Sequence, residues 1–265
     1  MAERSDEAIQ LKERTAKSFG FEWSKFNDIF EQYEDNFLSY ISPVGKEFFK
    51  DKLVLDAGCG AGRHSYFAAK YEAKKIVGFD ISEEAVKSAQ TNLVTFTNAE
   101  VVYGDIYSFH YPQKFDYVMS LGVLHHLPDP QSGFNKLVSL LKDGGTISIW
   151  VYSKKDNWLA THVYEPLRFF TTITPHHILY YIAFIPAAIM QFCNWLRIPI
   201  FTYYRKFPFK TKWNDAFDVF SAPSAKYYTI REIIDWYKRA GLKNVQVSYR
   251  MLDGKAKGIK AVGVK

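Results

Sequence analysis

The stretch Asp56-Ala57-Gly58-Cys59-Gly60-Ala61-Gly62 sets glycines at every second position behind an aspartate that closes a short apolar run. Glycines at such a turn let the backbone approach a ligand and leave amide N–H groups at a helix N-terminus. Loops of this kind serve dinucleotides, ATP and S-adenosylmethionine alike, so three details set the direction. The spacing is G-x-G-x-G, with Arg63 or His64 where a dinucleotide loop carries its third glycine. Asp56 opens the loop, where a carboxylate repels a pyrophosphate but suits an ammonium or sulfonium group. Asp80, at the end of the next apolar run, can accept hydrogen bonds from both hydroxyls of a ribose. Singly, Asp56 reads as a strand-end turn former and Asp80 as an N-cap neighbour. Their order on the chain favours a ligand site.

Further candidates follow in sequence. Ile81 adjoins Asp80, and Asp105 with Ile106 ends a third apolar run, placed to meet an adenine amino group. Ser120, Leu121 and Gly122 close a fourth run and leave room for the ligand. His125 and His126 come next, at the carboxyl edge where open α/β sheets bind ligands, and imidazole titrates near neutrality. Either is a candidate general base, set against the reading of His126 as a structural residue. Tyr152 and His162 are weaker candidates for contact with a substrate. In the N-terminal "SFGFEWSKF", Phe21 and Trp23 are candidates for a lid that excludes water, or for a staple to the outside of the domain.

The elements that must position these residues alternate. Strand-like runs at 53–58, 75–82, 99–106, 114–122 and 146–153 are separated by helical patterns at 64–71, 82–93 and 129–145, the last closed by Gly144 and Gly145. That order predicts right-handed βαβ crossovers and a doubly wound, mostly parallel α/β sheet. The pattern breaks at Ser153 and resumes near Tyr227, where a capped amphipathic helix (229–242) precedes a hairpin of 244–250 and 260–265, joined through "LDGKAKG". The expected organisation is an N-terminal extension over 1–45, an α/β domain over 46–152 and 221–265, and an insertion over 153–220.

With these motifs in place the chain resembles a class I S-adenosylmethionine-dependent methyltransferase. "VLDAGCGAG" matches that family's first motif, "VGFDIS" its ribose-binding strand, "GDI" its adenine contact, "SLGVLHHLPDP" the motif after strand four and "LLKDGGTISI" the turn before strand five. Five motifs in the right order cover about 46–153 and 224–265. The resemblance implies a seven-stranded sheet ending in an antiparallel hairpin, with S-adenosylmethionine as cofactor and S-adenosylhomocysteine as product. The "FGFEW" stretch is similar to that of methyltransferase type 11 members. The family does not fix the acceptor.

Composition bears on the acceptor. The chain has 265 residues and a net charge of +6, and the whole excess falls between Ser153 and Lys212, a segment that also holds 14 of the 46 aromatic residues. Within it, 178–190 is apolar for 13 residues, too short to cross a bilayer, with Pro186 expected to kink its middle. Three readings stay open for the insertion. It is a helical cap over an acceptor pocket, with a dimer contact as a further use; an interfacial membrane element with Arg197, Arg205, Lys206 and Lys210 toward anionic headgroups; or a nucleic-acid patch. The apolar block is too long for an exposed RNA face, which weighs against the last. The first two together suit an amphiphilic or lipid-linked acceptor. A soluble small molecule or tRNA is the alternative, and a non-catalytic scaffold that keeps the cofactor fold is the reading from another class. Cys59 and Cys193 lack metal-ligand spacing and read as reduced thiols. No metal is expected, and the charged N-terminus lacks a secretory pattern, so the expected location is cytoplasmic, with or without peripheral attachment to a membrane.

Overall fold

The computed structural model describes residues 2–158 and 160–265. Strands β1 (Leu53–Ala57), β2 (Lys75–Asp80), β3 (Ala99–Tyr103), β4 (Phe115–Leu121), β5 (Leu141–Tyr152), β6 (Lys243–Leu252) and β7 (Lys255–Val264) form one sheet in the order β3-β2-β1-β4-β5-β7-β6. The first five are parallel, and β7 runs antiparallel between β5 and β6. Every residue of β1 is buried, as expected for a central parallel strand covered on both faces. The chain winds outward in one direction through β2 and β3 and in the other through β4 and β5. The switch point between β1 and β4 opens a crevice at their carboxyl ends.

The helices are α1 (Ala2–Lys25), α2 (Tyr33–Ile41), α3 (Arg63–Lys70), α4 (Glu83–Asn92), α5 (Pro130–Ser139), α6 (Glu165–Thr171), α7 (His176–Trp195), α8 (Phe209–Ser221) and α9 (Ile230–Arg239). One face of the sheet packs against α5 and α9 through Phe134, Leu137, Ile233 and Tyr237. The other packs against α2 and α3 through Phe37, Ile41, Phe67 and Ala68. Local signals explain the starts: Ser82 caps α4, Asp129 caps α5, and Thr229 with Glu232 forms a capping box on α9. A third apolar cluster joins distant parts of the chain, with Phe26 at the end of α1 set among Leu179, Ala183 and Ala187 of α7 and Phe217 of α8.

Several boundaries differ from expectation. Helix α5 stops at Ser139, and 141–145 joins β5, because Phe115 accepts Leu141 as its ladder partner. Gly144, with φ +79°, serves a bend in that strand rather than a helix end. The C-terminal hairpin turns tightly at Asp253 and Gly254, both at positive φ, so most of "LDGKAKG" is strand. Helix α7 runs through Pro186 without interruption for 20 residues. It is long and apolar enough to cross a membrane by length and composition, although its inner face packs on α8.

Candidate active site

The carboxyl ends of β1, β2 and β4 bring the glycine loop, Asp80 and the 120–126 segment together, and α1 lies across them. Gly58, Gly60 and Gly62 all have positive φ, so an L side chain would strain each. A Cβ on Gly58 would stand 2.5 Å from Val123 Cγ2, and one on Gly60 would stand 2.8 Å from the Trp23 ring. The loop amides are less free than the motif suggests. Gly58 and Cys59 donate to the Phe79 carbonyl at 2.9 and 3.0 Å, Gly62 to the Cys59 carbonyl, and Gly60 to Asp80 Oδ2 at 2.9 Å. Cys59 turns its thiol toward Gly78 in the interior, so only its backbone can face a ligand.

The two carboxylates of the loop differ. Asp80 accepts from Gly60 and, at 3.0 Å, from the Ser82 amide, so it organises the loop and keeps lone pairs to spare. Asp56 is fully buried, and its Oδ2 accepts the Ser65 hydroxyl at 2.7 Å while Oδ1 has no partner. Burial pushes its carboxyl up to about 7. An orphaned, buried carboxylate oxygen fits a ligand that brings a cation or an N–H donor. The ammonium of S-adenosylmethionine is such a group, so the residues present fit that cofactor.

Other candidates are sorted by their contacts. Asp105 pairs with Lys12 of α1 and accepts from the Tyr107 amide at 3.1 Å. Ile81 is half-buried beside Asp80, while Ile106 and Leu121 are buried in the cores of the two sheet faces. Ser120 donates to the Ala57 carbonyl at 3.0 Å and locks β4 to β1, and Gly122 donates to the Trp150 carbonyl. Trp23 packs on Gly60. Phe21 instead faces the insertion, 5.5 Å from the Phe217 ring and 5.6 Å from His176.

His125 is 0% exposed with both ring nitrogens unpartnered, and its ring lies 4.0 Å from that of Tyr152. Burial holds it neutral, with His126 and Arg168 adding in the same direction. His126 binds the Ser224 carbonyl through Nδ1. A carbonyl only accepts, so this bond assigns the proton to Nδ1 and leaves Nε2 with a lone pair. Burial lowers its pKa as well. Tyr152 donates to Asp218 Oδ2 at 3.0 Å. His162 lies elsewhere, exposed and stacked on Trp158.

The sequence reading missed the residues that tie the cap to the loop. Arg63 sits between the rings of Trp23 and Tyr33 at 4.8 and 4.7 Å, and donates to the Phe26 carbonyl (2.7 Å) and Asn214 Oδ1 (2.9 Å). Asn214 also donates to Glu22. Asp215, bonded by Tyr204 at 2.8 Å, is pushed up to about 6 by burial. The signal in the sequence was Asn214, Asp215 and Asp218 set among the aromatic residues Phe209, Trp213, Phe217 and Phe220 of α8. Behind Ser224, an open pocket of about 350 Å³ is lined by Arg14, Arg168 and Ile173.

A sequence profile described as "Methyltransferase domain" matches residues 48–200, more than half of the chain. Curated relatives include a ubiquinone biosynthesis O-methyltransferase from Pseudoalteromonas translucida, 31% identical over 48% of this chain and 59% of its own length. A tRNA U34 carboxymethyltransferase from Glaesserella parasuis is 34% identical over 43% of this chain and 35% of its own. The match thus spans less than two thirds of either relative. Among solved structures, magnesium protoporphyrin IX methyltransferase from Synechocystis with bound SAH superposes with a TM-score of 0.55 at 18% identity, covering 88% of this chain and 82% of that one. A SAM-dependent methyltransferase from Aquifex aeolicus gives 0.51 at 15% identity over 86% and 91%. At these identities the likeness is one of fold.

Proposed function

The chain belongs to the class I S-adenosylmethionine-dependent methyltransferases, and we propose that it methylates a small amphiphilic acceptor at the carboxyl ends of β4 and β5. The observation that carries the cofactor half is the unpartnered Oδ1 of Asp56 behind the glycine loop. When bound, the cofactor supplies an electrophilic methyl group on a sulfonium, and displacement needs alignment and exclusion of water more than acid–base help. Gly58, Gly60 and Gly62 would shape its cradle, with Asp56 facing the ammonium, Asp80 the ribose and Asp105 the adenine. Trp23 excludes water over Gly60. His126 takes the acceptor's proton at Nε2, because its other nitrogen is held by Ser224. His125 holds the Tyr152 ring in place.

The outer face of α7 supports an amphiphilic acceptor. Tyr181, Ile185, Ile189 and Phe192 are 55–70% exposed on that face, and the helix carries no Lys, Arg, Asp or Glu. Phe170 and Ile173 extend the exposed apolar surface to the pocket behind Ser224. We read this face as lying on the surface of a bilayer, which would place the protein at the cytoplasmic side of a membrane as a peripheral enzyme. The basic residues weigh against RNA: Lys206 pairs with Asp35 and Lys210 with Asp28, so part of the positive charge is spent internally.

Labelled S-adenosylmethionine incubated with lipid, RNA and soluble small-molecule extracts tests the reading, with label expected in the lipid fraction. Label confined to RNA would overturn the acceptor assignment, and no binding of S-adenosylhomocysteine by calorimetry would favour a non-catalytic scaffold. In flotation, wild type should rise with phosphatidylglycerol–phosphatidylcholine vesicles, and Ile185→Asp should stay behind. A wild type that never floats removes the membrane.

A further inference from the structure

The donor loop and His126 leave a group of buried polar atoms between α1 and α8 unused. Glu22 of α1 is 2% exposed; its Oε1 accepts from Asn214, and its Oε2 has no partner. On α8, Asp218 accepts the Tyr152 hydroxyl on Oδ2, while Oδ1 is buried and unpartnered. One turn further along α8, Ser221 is 1% exposed and its Oγ is also unpartnered. The nearby guanidiniums are only partly engaged, with the Nε of Arg63 and of Arg168 buried and without a hydrogen bond. The Nη2 of Arg63 serves Phe26 and Asn214, and Arg168 pairs with Glu165 at 3.2 Å and donates to the Ala222 carbonyl at 2.8 Å. Asp215, on the same helix, adds negative charge. The field of Asp218 adds to burial in raising the Glu22 carboxyl well above its usual range. Two carboxyls confined in this way are costly unless a donor-rich group comes between them.

From this geometry we infer that Glu22, Asp218 and Ser221 form the head-group site of the acceptor, and that the head group is an amine. The inference rests on the acceptor site proposed above, since Tyr152 and His126 border both. An ammonium has three N–H donors, and three unpartnered acceptor atoms lie along the α1–α8 seam, which Asn214 joins to Glu22 and Ser18 to the Ser221 carbonyl. A hydroxyl would satisfy one of them, and a carbon nucleophile none. The amine is held as its ammonium by the two carboxylates. One N–H proton passes to Nε2 of His126, which forms imidazolium. The freed lone pair on nitrogen forms the N–CH3 bond as the C–S bond breaks, and the C–S electron pair returns to sulfur as a neutral thioether. The methylated nitrogen carries the positive charge and stays paired with the carboxylates, while His126 returns its proton to solvent.

Calorimetry on the full chain saturated with S-adenosylhomocysteine tests this with two probes of equal length, n-octylamine and n-octanol. Wild type should bind the amine at least tenfold more tightly than the alcohol. Glu22→Gln and Asp218→Asn should each reduce that preference below threefold. Glu22→Gln keeps an acceptor for Asn214, so it carries the test if Asp218→Asn does not fold, with thermal melting as the check. Equal binding of the two probes by wild type, a preference that survives both substitutions, or no amine binding by a protein that binds S-adenosylhomocysteine overturns the inference. Loss of S-adenosylhomocysteine binding in wild type overturns the methyltransferase reading instead.

Discussion

The cofactor side and the cap side of the site both bury carboxylates, but they hold them differently. Asp56 and Asp80 are bonded by Ser65, Gly60 and Ser82, all within one βαβ unit of some thirty residues. Glu22, Asp218 and Asp215 are held by Asn214 of α8, Tyr152 at the end of β5 and Tyr204 of the 202–206 turn, with Asn214 meeting Glu22 across 192 positions of chain. The first set is built by local geometry and stays in place whatever the rest of the chain does. The second exists only while α1, α8 and the end of β5 stay packed.

Four substitutions would break or sharpen that contrast. Gly58→Ala puts a Cβ into the side chain of Val123 at a positive φ, which costs about 1–2 kcal/mol in backbone strain before the clash. Affinity for S-adenosylhomocysteine should fall at least 100-fold by calorimetry. A loss under tenfold would mean that the loop backbone does not shape the donor site.

Asp56→Asn should weaken the same ligand by about 10–100-fold, as expected for a charge-assisted hydrogen bond worth about 1.5–3 kcal/mol. Its effect on stability has the opposite sign. The Asp56 carboxyl is raised to about 7 in the fold, so the native state keeps a proton that the unfolded chain loses near pH 4. Ionisation therefore opposes folding increasingly from pH 4 to pH 7. The ligand-free variant should melt above wild type at pH 8, with the gap closing toward pH 4. A variant that melts lower at pH 8 would show that Asp56 is satisfied without a ligand.

On the cap side, Arg63→Lys removes a planar group that two rings and two acceptors hold, for about 1–2 kcal/mol. Limited proteolysis should cut first near 22–27 and 208–215, ahead of any cut in the sheet, while ligand affinity changes by less than tenfold. Simultaneous cutting of sheet and cap would mean the two are one cooperative unit. Lys12→Ala should have the smallest effect. Lys12 holds Asp105 in a partly exposed pair, worth about 0.2–1 kcal/mol, and the adenine amino group would compete for the same carboxylate. Its removal should tighten S-adenosylhomocysteine by up to about fivefold. Weaker binding would place the adenine elsewhere.

The sheet and the donor loop were legible because their signals are local. The apolar runs, the Ser82 and Thr229 caps and the glycine spacing each lie within a few residues of what they determine. Errors arose where long-range pairing overrode a local cue. Gly144 looks like a helix stop, but the β4 ladder draws 141–145 into strand. Phe21 and Trp23 are two residues apart in one stretch, yet one faces Phe217 and the other Gly60. His125 and His126 are neighbours, yet His126 bonds the Ser224 carbonyl while both ring nitrogens of His125 are buried without a partner.

The sequence by itself determined the α/β fold and the nucleoside-binding character of the loop. Consecutive parallel strands joined by right-handed crossovers must place their carboxyl ends on one edge, whatever surrounds them. Tertiary structure alone decided which helices close that edge. No periodicity in 1–25 or 209–221 records that the two meet, or that Glu22 becomes buried within the field of Asp218. A carboxylate on a helix reads as a solvated face until its neighbours are known, and only burial turns it into a site.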